Sequence, residues 1–181
     1  NNEVSKAALL EIGYGPWVLH ADAFDRQSKD VKVPQALPCA KPGSRAFDKR
    51  ICNSANDASG SAFGASLFFD QGFMGLSFQT YQSQYGTVAE DEVTIGMKSE
   101  RASLEGEWRP TSGLIKSVEW QASQSNYQHT EFEGIDAGTL FANKGHDGRI
   151  QLKHKPWRSD AGTWEGVWGW QTEQGRFSAD G

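Results

Sequence analysis

The chain has 181 residues, a formal net charge of −5 at pH 7 and only 37% apolar residues, below the ~45–50% (counting Gly) usual for soluble domains. Its mean hydropathy is −0.62, yet 7 Trp, 10 Phe and 20 Gly exclude a disordered chain, which would be poor in aromatics. No run approaches the ~18 consecutive apolar residues of a membrane helix, and an acidic balance without a Lys/Arg cluster argues against nucleic acid as a partner.

Alternation of apolar and polar residues dominates, and helical periodicity is nearly absent. Asn1-Asn2-Glu3-Val4 has neither an initiator Met nor a signal-peptide pattern, so a removed leader or a longer parent chain is expected. Strands are predicted at 4–12 and 16–30 around the turn Gly13-Tyr14-Gly15. A long polar connection, 31–59, holds Cys39 and Cys52 among Pro38, Pro42 and Gly43. A loop disulfide made in an oxidising compartment is the favoured reading, two unpaired thiols the alternative. Two further ligands at suitable spacing are missing, which argues against a metal site there. Strands 60–70 and 73–86 flank Asp70-Gln71-Gly72, and strands 92–109 and 114–132 flank Pro110-Thr111-Ser112-Gly113. Strands 147–156 and 162–176 flank the segment from Trp157 to Gly162. The other connections, 87–91 and 133–146, complete an expected alternation of short turns with longer loops, 87–91 being the soft case. The fold class expected is all-β, an antiparallel up-and-down meander of about eight long strands.

Parity separates two faces. Leu114, Lys116, Val118, Trp120, Ala122 and Gln124 alternate with Ser117, Glu119, Gln121 and Ser123; Ala102, Leu104, Gly106 and Trp108 alternate with Arg101, Ser103, Glu105 and Glu107. Phe63, Ala65, Leu67 and Phe69 share one face, as do Met74, Leu76 and Phe78, with Phe68 an exception. The last strand sets Trp164, Trp168 and Trp170 against Glu165, Gln171 and Glu173. The apolar belts lie next to the short turns, and the far strand halves read as polar on both faces. Trp17, Trp108, Trp120, Trp164 and Trp168 stand near those turns, where an interfacial aromatic girdle would lie. A soluble sandwich or small barrel would alternate too, with the apolar face inward.

Gly72-Phe73-Met74-Gly75-Leu76-Ser77, Tyr85-Gly86, Arg101 and Glu105-Gly106-Glu107-Trp108 resemble the barrel of TonB-dependent outer-membrane receptors, closest to the branch for zinc or haem uptake. Asn126 to Gly134 with Gly138 to Gly145, Leu152 to Pro156, Gly162-Thr163-Trp164, Phe177-Ser178-Ala179 and Trp17 to Arg26 continue the resemblance. It covers most of the chain from Pro16 onward and is weakest in 31–59. It implies an early arc, roughly a third, of a 22-stranded barrel in the outer membrane of a Gram-negative bacterium. The family's plug domain with its TonB box is not visible here, nor is its terminal aromatic strand. The implied partners are outer-membrane lipid, the chain's own plug and remaining barrel strands, and the TonB energy-coupling complex through that plug. The implied cargo is zinc, haem or an iron chelate, with no covalently bound cofactor. The whole chain, 1–181, is thus read as part of one barrel domain with extracellular-type loops at 31–59, 87–91 and 133–146.

The candidate ligand set is Tyr127, His129, Glu131 and Glu133, which a strand would place on one face. His129 and Glu131 are candidate metal ligands, since imidazole suits zinc and iron; a solvated polar mouth is the competing reading. His20, Asp22 and Arg26 share a face of strand two and could line a lumen or pair within the sheet. Glu90, Asp91 and Glu92 form an acidic tip. No Gly-x-Ser-x-Gly or phosphate-binding glycine motif is present, so no enzyme is expected. The other function class considered is a soluble or cell-surface ligand-binding module closed as an eight-stranded barrel.

Overall fold

The computed structural model describes residues 2–181. Eight long strands form one antiparallel sheet: β1 (Val4–Tyr14), β2 (Trp17–Ser28), β5 (Asn56–Phe69), β6 (Gly72–Gly86), β7 (Val93–Trp108), β8 (Ile115–Glu133), β9 (Asp136–His154) and β12 (Val167–Asp180). Two small ribbons interrupt the meander, β3 (Lys32–Pro38) with β4 (Phe47–Arg50), and β10 (Trp157–Ser159) with β11 (Gly162–Trp164). Neighbours in the sheet follow chain order, and β1 does not pair with β12. The sheet is therefore open, and the closed eight-stranded barrel is not what these residues form.

Several expectations need correction. The predicted loop 133–146 is mostly strand: β8 turns into β9 through Gly134-Ile135 alone. Gly134 has φ +63°, the left-handed conformation that two-residue hairpin turns demand. The other glycines read as loop punctuation, Gly138, Gly145 and Gly148, lie inside β9. The predicted segment 162–176 splits, β11 being a separate ribbon strand and β12 running on to Asp180. The alternation of short and long connections consequently holds only for the first three, 15–16, 29–55 and 70–71. After them 87–92 and 109–114 are equal in length, 134–135 is short at the expected loop end, and 155–166 is long at the expected turn end.

Register aligns side chains into rows across the sheet. On one face the row nearest the 15–16 and 70–71 turns, after Phe69, Gly72, Trp108, Val118, Leu152 and Trp168, reads Tyr14, Trp17, Leu67, Met74, Gly106, Trp120, Ile150, Trp170. The next reads Ile12, Leu19, Ala65, Leu76, Leu104, Ala122, Gly148, Thr172, and the third Leu10, Ala21, Phe63, Phe78, Ala102, Gln124, His146, Gln174. A fourth runs Ala8, Ala23, Ser61, Thr80, Glu100, Asn126, Lys144, Arg176. The apolar band thus loses one row between β2 and β5, one between β7 and β8, and one at β12. Its edge shifts by three rows of two residues across seven strand intervals. At ~3.4 Å per residue and ~4.8 Å per strand, the edge crosses the rows at roughly 30°.

Among the described residues nothing covers this band. Leu10, Ile12, Phe63, Leu76, Phe78, Ile150, Trp168 and Trp170 are 45–72% exposed, and among the described residues only Cys52 and Ala58 are buried apolar ones. Eight large side chains half exposed, at ~1.5–3 kcal/mol for full burial of each, leave roughly 6–12 kcal/mol of burial unrealised. That is as large as the whole stability of an ordinary domain, ~5–15 kcal/mol. The sheet has no core of its own.

Candidate functional site

The opposite face carries the chemistry. Towards the turn end it is a ladder of charge: Glu107 accepts from Arg109 Nε at 2.7 Å, Lys153 donates to Glu119, and Arg101 Nη2 reaches Asp147 at 3.4 Å. Asp147 also accepts from the buried Ser123 hydroxyl. Cross-strand register builds this, since Glu107 faces Glu119 and Ser123 faces Asp147. These pairs are partly exposed and each contributes little to stability; together they keep the face polar.

Towards the other end the same face turns aromatic, where the sequence reads as polar. Phe24 lies over Gly60 beside Tyr81, ring centroids 6.2 Å apart, in the space a Cβ on Gly60 would take. Tyr127, His129, Phe141 and Phe177 form a chain: the Tyr127 hydroxyl and His129 Nδ1 share a hydrogen bond at 3.1 Å, His129 stacks on Phe141 at 4.5 Å, and Phe141 meets Phe177 at 6.3 Å. Burial, with Tyr85 nearby, raises the Tyr127 pKa above the usual phenol value. Phe68, the parity exception, stacks on its partner Phe73 on this face at 5.8 Å.

Of the expected ligand set, Tyr127 and His129 come together, and Glu131 and Glu133 do not join them. Glu131 faces Ile95 and Glu133 faces Val93, and a bulge between Thr130 and Phe132 leaves Glu131 without a partner on β9. Among the described residues, the one His/Cys/Asp/Glu trio with ligand atoms within 4.8 Å of one another is Cys39, Cys52 and Asp91. His129, Glu131 and Glu133 therefore do not converge as a set of three, in keeping with the ~6.5–7 Å between alternate residues of a strand. Neither is that trio a metal site as it stands, since Cys39 and Cys52 are joined as a disulfide, Cα–Cα 5.4 Å. His20 and Asp22 do meet: His20 Nε2 is 2.8 Å from Asp22 Oδ2, and its Nδ1 is 3.7 Å from Glu11. Arg26 faces Ala58 and makes no ion pair with either. Ser61 bonds the Thr80 hydroxyl on the apolar-band face at 3.0 Å.

The feature that sequence reading missed is a clamp over the loop end. Asn53, 2% exposed and left-handed at φ +56°, donates from Nδ2 towards the carbonyls of Thr87, Glu90 and Val93 at 3.2, 3.0 and 2.5 Å. Its Oδ1 accepts from Lys41 Nζ at 3.0 Å. The Ala40 amide donates to Asp91 at 2.5 Å, and Asp30 accepts from the Ser54 and Ala55 amides. The 29–55 and 87–92 connections thereby form one unit, pinned beside the disulfide. An Asn in a Cys-Asn-Ser run is a cue for a left-handed turn, though nothing in the run names its partners. No protein-family model matches the chain.

Proposed function

We propose that this sheet is an arc of the wall of a transmembrane β-barrel, of the outer-membrane TonB-dependent receptor type, that imports a metal ion, haem or a metal chelate into the periplasm. The observation that carries the reading is the uncovered apolar band on one face, backed by an ion-paired face. Lipid would cover the band and water the other face, as in a porin-like wall. The oblique edge of the band supports it. A band that follows a membrane crosses hydrogen-bonded rows at the tilt of the strands, ~35–45° in such barrels, and the observed slant of roughly 30° is close. Unpaired edges at β1 and β12 would be closed by further strands of the same barrel, which also removes an aggregation hazard. The aromatic strip and the clamped loops would then lie at the extracellular mouth, where cargo first meets the protein. The receptor type and its cargo rest on the sequence resemblance.

Tryptophan quenching tests the membrane reading. Trp17, Trp108, Trp120, Trp168 and Trp170 all stand on the apolar-band face. In bilayers of brominated phosphatidylcholine their emission is expected to fall by about half or more, with little quenching by aqueous acrylamide. Strong acrylamide quenching with no bromine effect overturns the reading in favour of a soluble module.

A further inference from the structure

The clamp over the loop end gathers three side chains from two separate connections. Cys39 and Cys52 belong to 29–55 and Asp91 to 87–92, yet the two sulfurs and a carboxylate oxygen all lie within 4.8 Å of one another. The third donor that the cysteine loop lacks by itself thus arrives from across the clamp. Two thiolate sulfurs and one carboxylate oxygen make a mixed donor set that zinc accepts. In the disulfide the sulfurs are bonded to each other, so the set exists only in the reduced chain.

Each donor also has a hold that does not pass through the sulfur–sulfur bond. The Cys39 amide donates to the Ala46 carbonyl at 3.0 Å, and the next amide, Ala40, donates to Asp91 Oδ2. That bond fixes the carboxylate by one oxygen and leaves the other for a metal, the arrangement that outer partners give to metal-bound carboxylates. Cys52 precedes Asn53, whose side chain bonds the carbonyls of Thr87, Glu90 and Val93, on either side of Asp91. Reduction therefore frees the sulfurs without dispersing the backbone that carries them. A tetrahedral zinc ion, ~2.0–2.3 Å from each donor, needs donors roughly 3.3–3.8 Å apart. With the cysteine Cα atoms 5.4 Å apart, side-chain rotation opens the sulfurs to that separation, and a shift of roughly 1 Å brings in the carboxylate.

We propose that Cys39, Cys52 and Asp91 form a zinc site that the disulfide masks and a dithiol reductant unmasks. One sulfur of the dithiol, as thiolate, attacks Sγ of Cys39, the more exposed cysteine, and releases the Cys52 thiolate. Its second sulfur then displaces Cys39 and departs as a cyclic disulfide. The protein's disulfide gains two electrons, the dithiol loses two, and the dithiol's two protons pass to the cysteines. Zinc displaces those protons, takes one Asp91 oxygen and keeps a water in the fourth position. Three negative donors on a dication leave a charge of −1, with the Lys41 ammonium held on neighbouring Asn53 at 3.0 Å. The site uses none of Tyr127, His129 and Glu131, and it stands whether or not lipid covers the band.

The test uses the full chain in detergent micelles, reduced with a phosphine because a dithiol would itself bind the metal, and titrated with cobalt(II) and then zinc. One cobalt per chain is expected, with a thiolate-to-metal charge-transfer band in the near ultraviolet that zinc abolishes; the oxidised chain should show no band. Asp91→Asn keeps an acceptor for the Ala40 amide and should weaken zinc binding at least about tenfold, while His129→Ala should leave it unchanged. Zinc should also return protease cleavage within 39–52 of the reduced chain towards the slower oxidised rate, since the metal closes the same loop. A reduced wild type without the band, zinc affinity undiminished in Asp91→Asn, or cleavage that zinc leaves equally fast each overturns the site.

Discussion

Asn53→Ala offers the sharpest structural perturbation. The side chain is nearly fully buried, and it serves the Thr87, Glu90 and Val93 carbonyls and the Lys41 ammonium. An amide has two N–H groups, so it serves two of the three carbonyls well at any moment, and each carbonyl also accepts a backbone N–H within 87–93. Losing two such second bonds costs about 0.5–1.5 kcal/mol each, and placing Ala at φ +56° adds about 1 kcal/mol. The sum is roughly 2–4 kcal/mol, and it falls on the clamp alone, because the eight-stranded sheet does not depend on these bonds. Hydrogen exchange read by mass spectrometry is the assay. The amides of Thr87, Glu90 and Val93 are held by bonds within 87–93 and should exchange at least about 30-fold faster, from 1.4 kcal/mol per factor of ten. Peptides from β7 and β8 should keep their wild-type rates. Asn53→Gly separates the two contributions: it restores the backbone conformation and should recover only about 1 kcal/mol of the loss. Unchanged exchange over 87–93 in Asn53→Ala would refute the clamp.

Reducing Cys39–Cys52, a link across 13 residues, removes a constraint of about 3 kcal/mol on the open chain; protease cleavage within 39–52 should accelerate while the far-ultraviolet β signal holds. Gly106→Ala puts a Cβ 2.2 Å from the Trp120 indole and 2.7 Å from the Phe73 carbonyl, so a loss of about 1–3 kcal/mol and altered near-ultraviolet dichroism of Trp120 are expected, and an unchanged spectrum would contradict the packing. His129→Ala should break the Tyr127–His129–Phe141 chain yet leave calorimetric zinc titrations of the full protein unaltered, since its carboxylate neighbours do not converge on it; lost zinc affinity would restore His129 as a ligand. In plain buffer without detergent the protein should aggregate through its band and edges, and a monodisperse monomer that melts cooperatively would count against the account.

Parity in the sequence sufficed for the two faces, because a period of two survives without knowing which strand lies beside which. Pairing was out of reach. The slanted edge of the band and the aromatic chain each join residues from different strands, and only register aligns them. Gly138, Gly145 and Gly148 misled because glycine punctuates loops as readily as it makes room in a strand; Gly145 gives space to the Ser125 hydroxyl, 3.0 Å from where a Cβ would stand. The β3 ribbon was hidden by Pro34 and Pro38, which suit only an irregular edge, and its register does shift between Lys32 and Leu37. The pair His20 and Asp22 was legible as i, i+2 on one strand. Glu131 was not, because a bulge is invisible in composition.

The central claim is that lipid covers the oblique band and water the ion-paired face. Single spin labels placed in turn at Phe63, Leu76, Leu104, Ala122 and Ile150, and at Gly64, Ser77, Ser103, Ser123 and Arg149, would test it in bilayers. The first set should be accessible to oxygen and shielded from a soluble nickel complex, and the second set the reverse. Along the outer face the crossover should come beyond Ala23 on β2 but just after Trp170 on β12, tracing the slant. Nickel accessibility throughout the first set, or a crossover level with one row across all eight strands, would contradict the account.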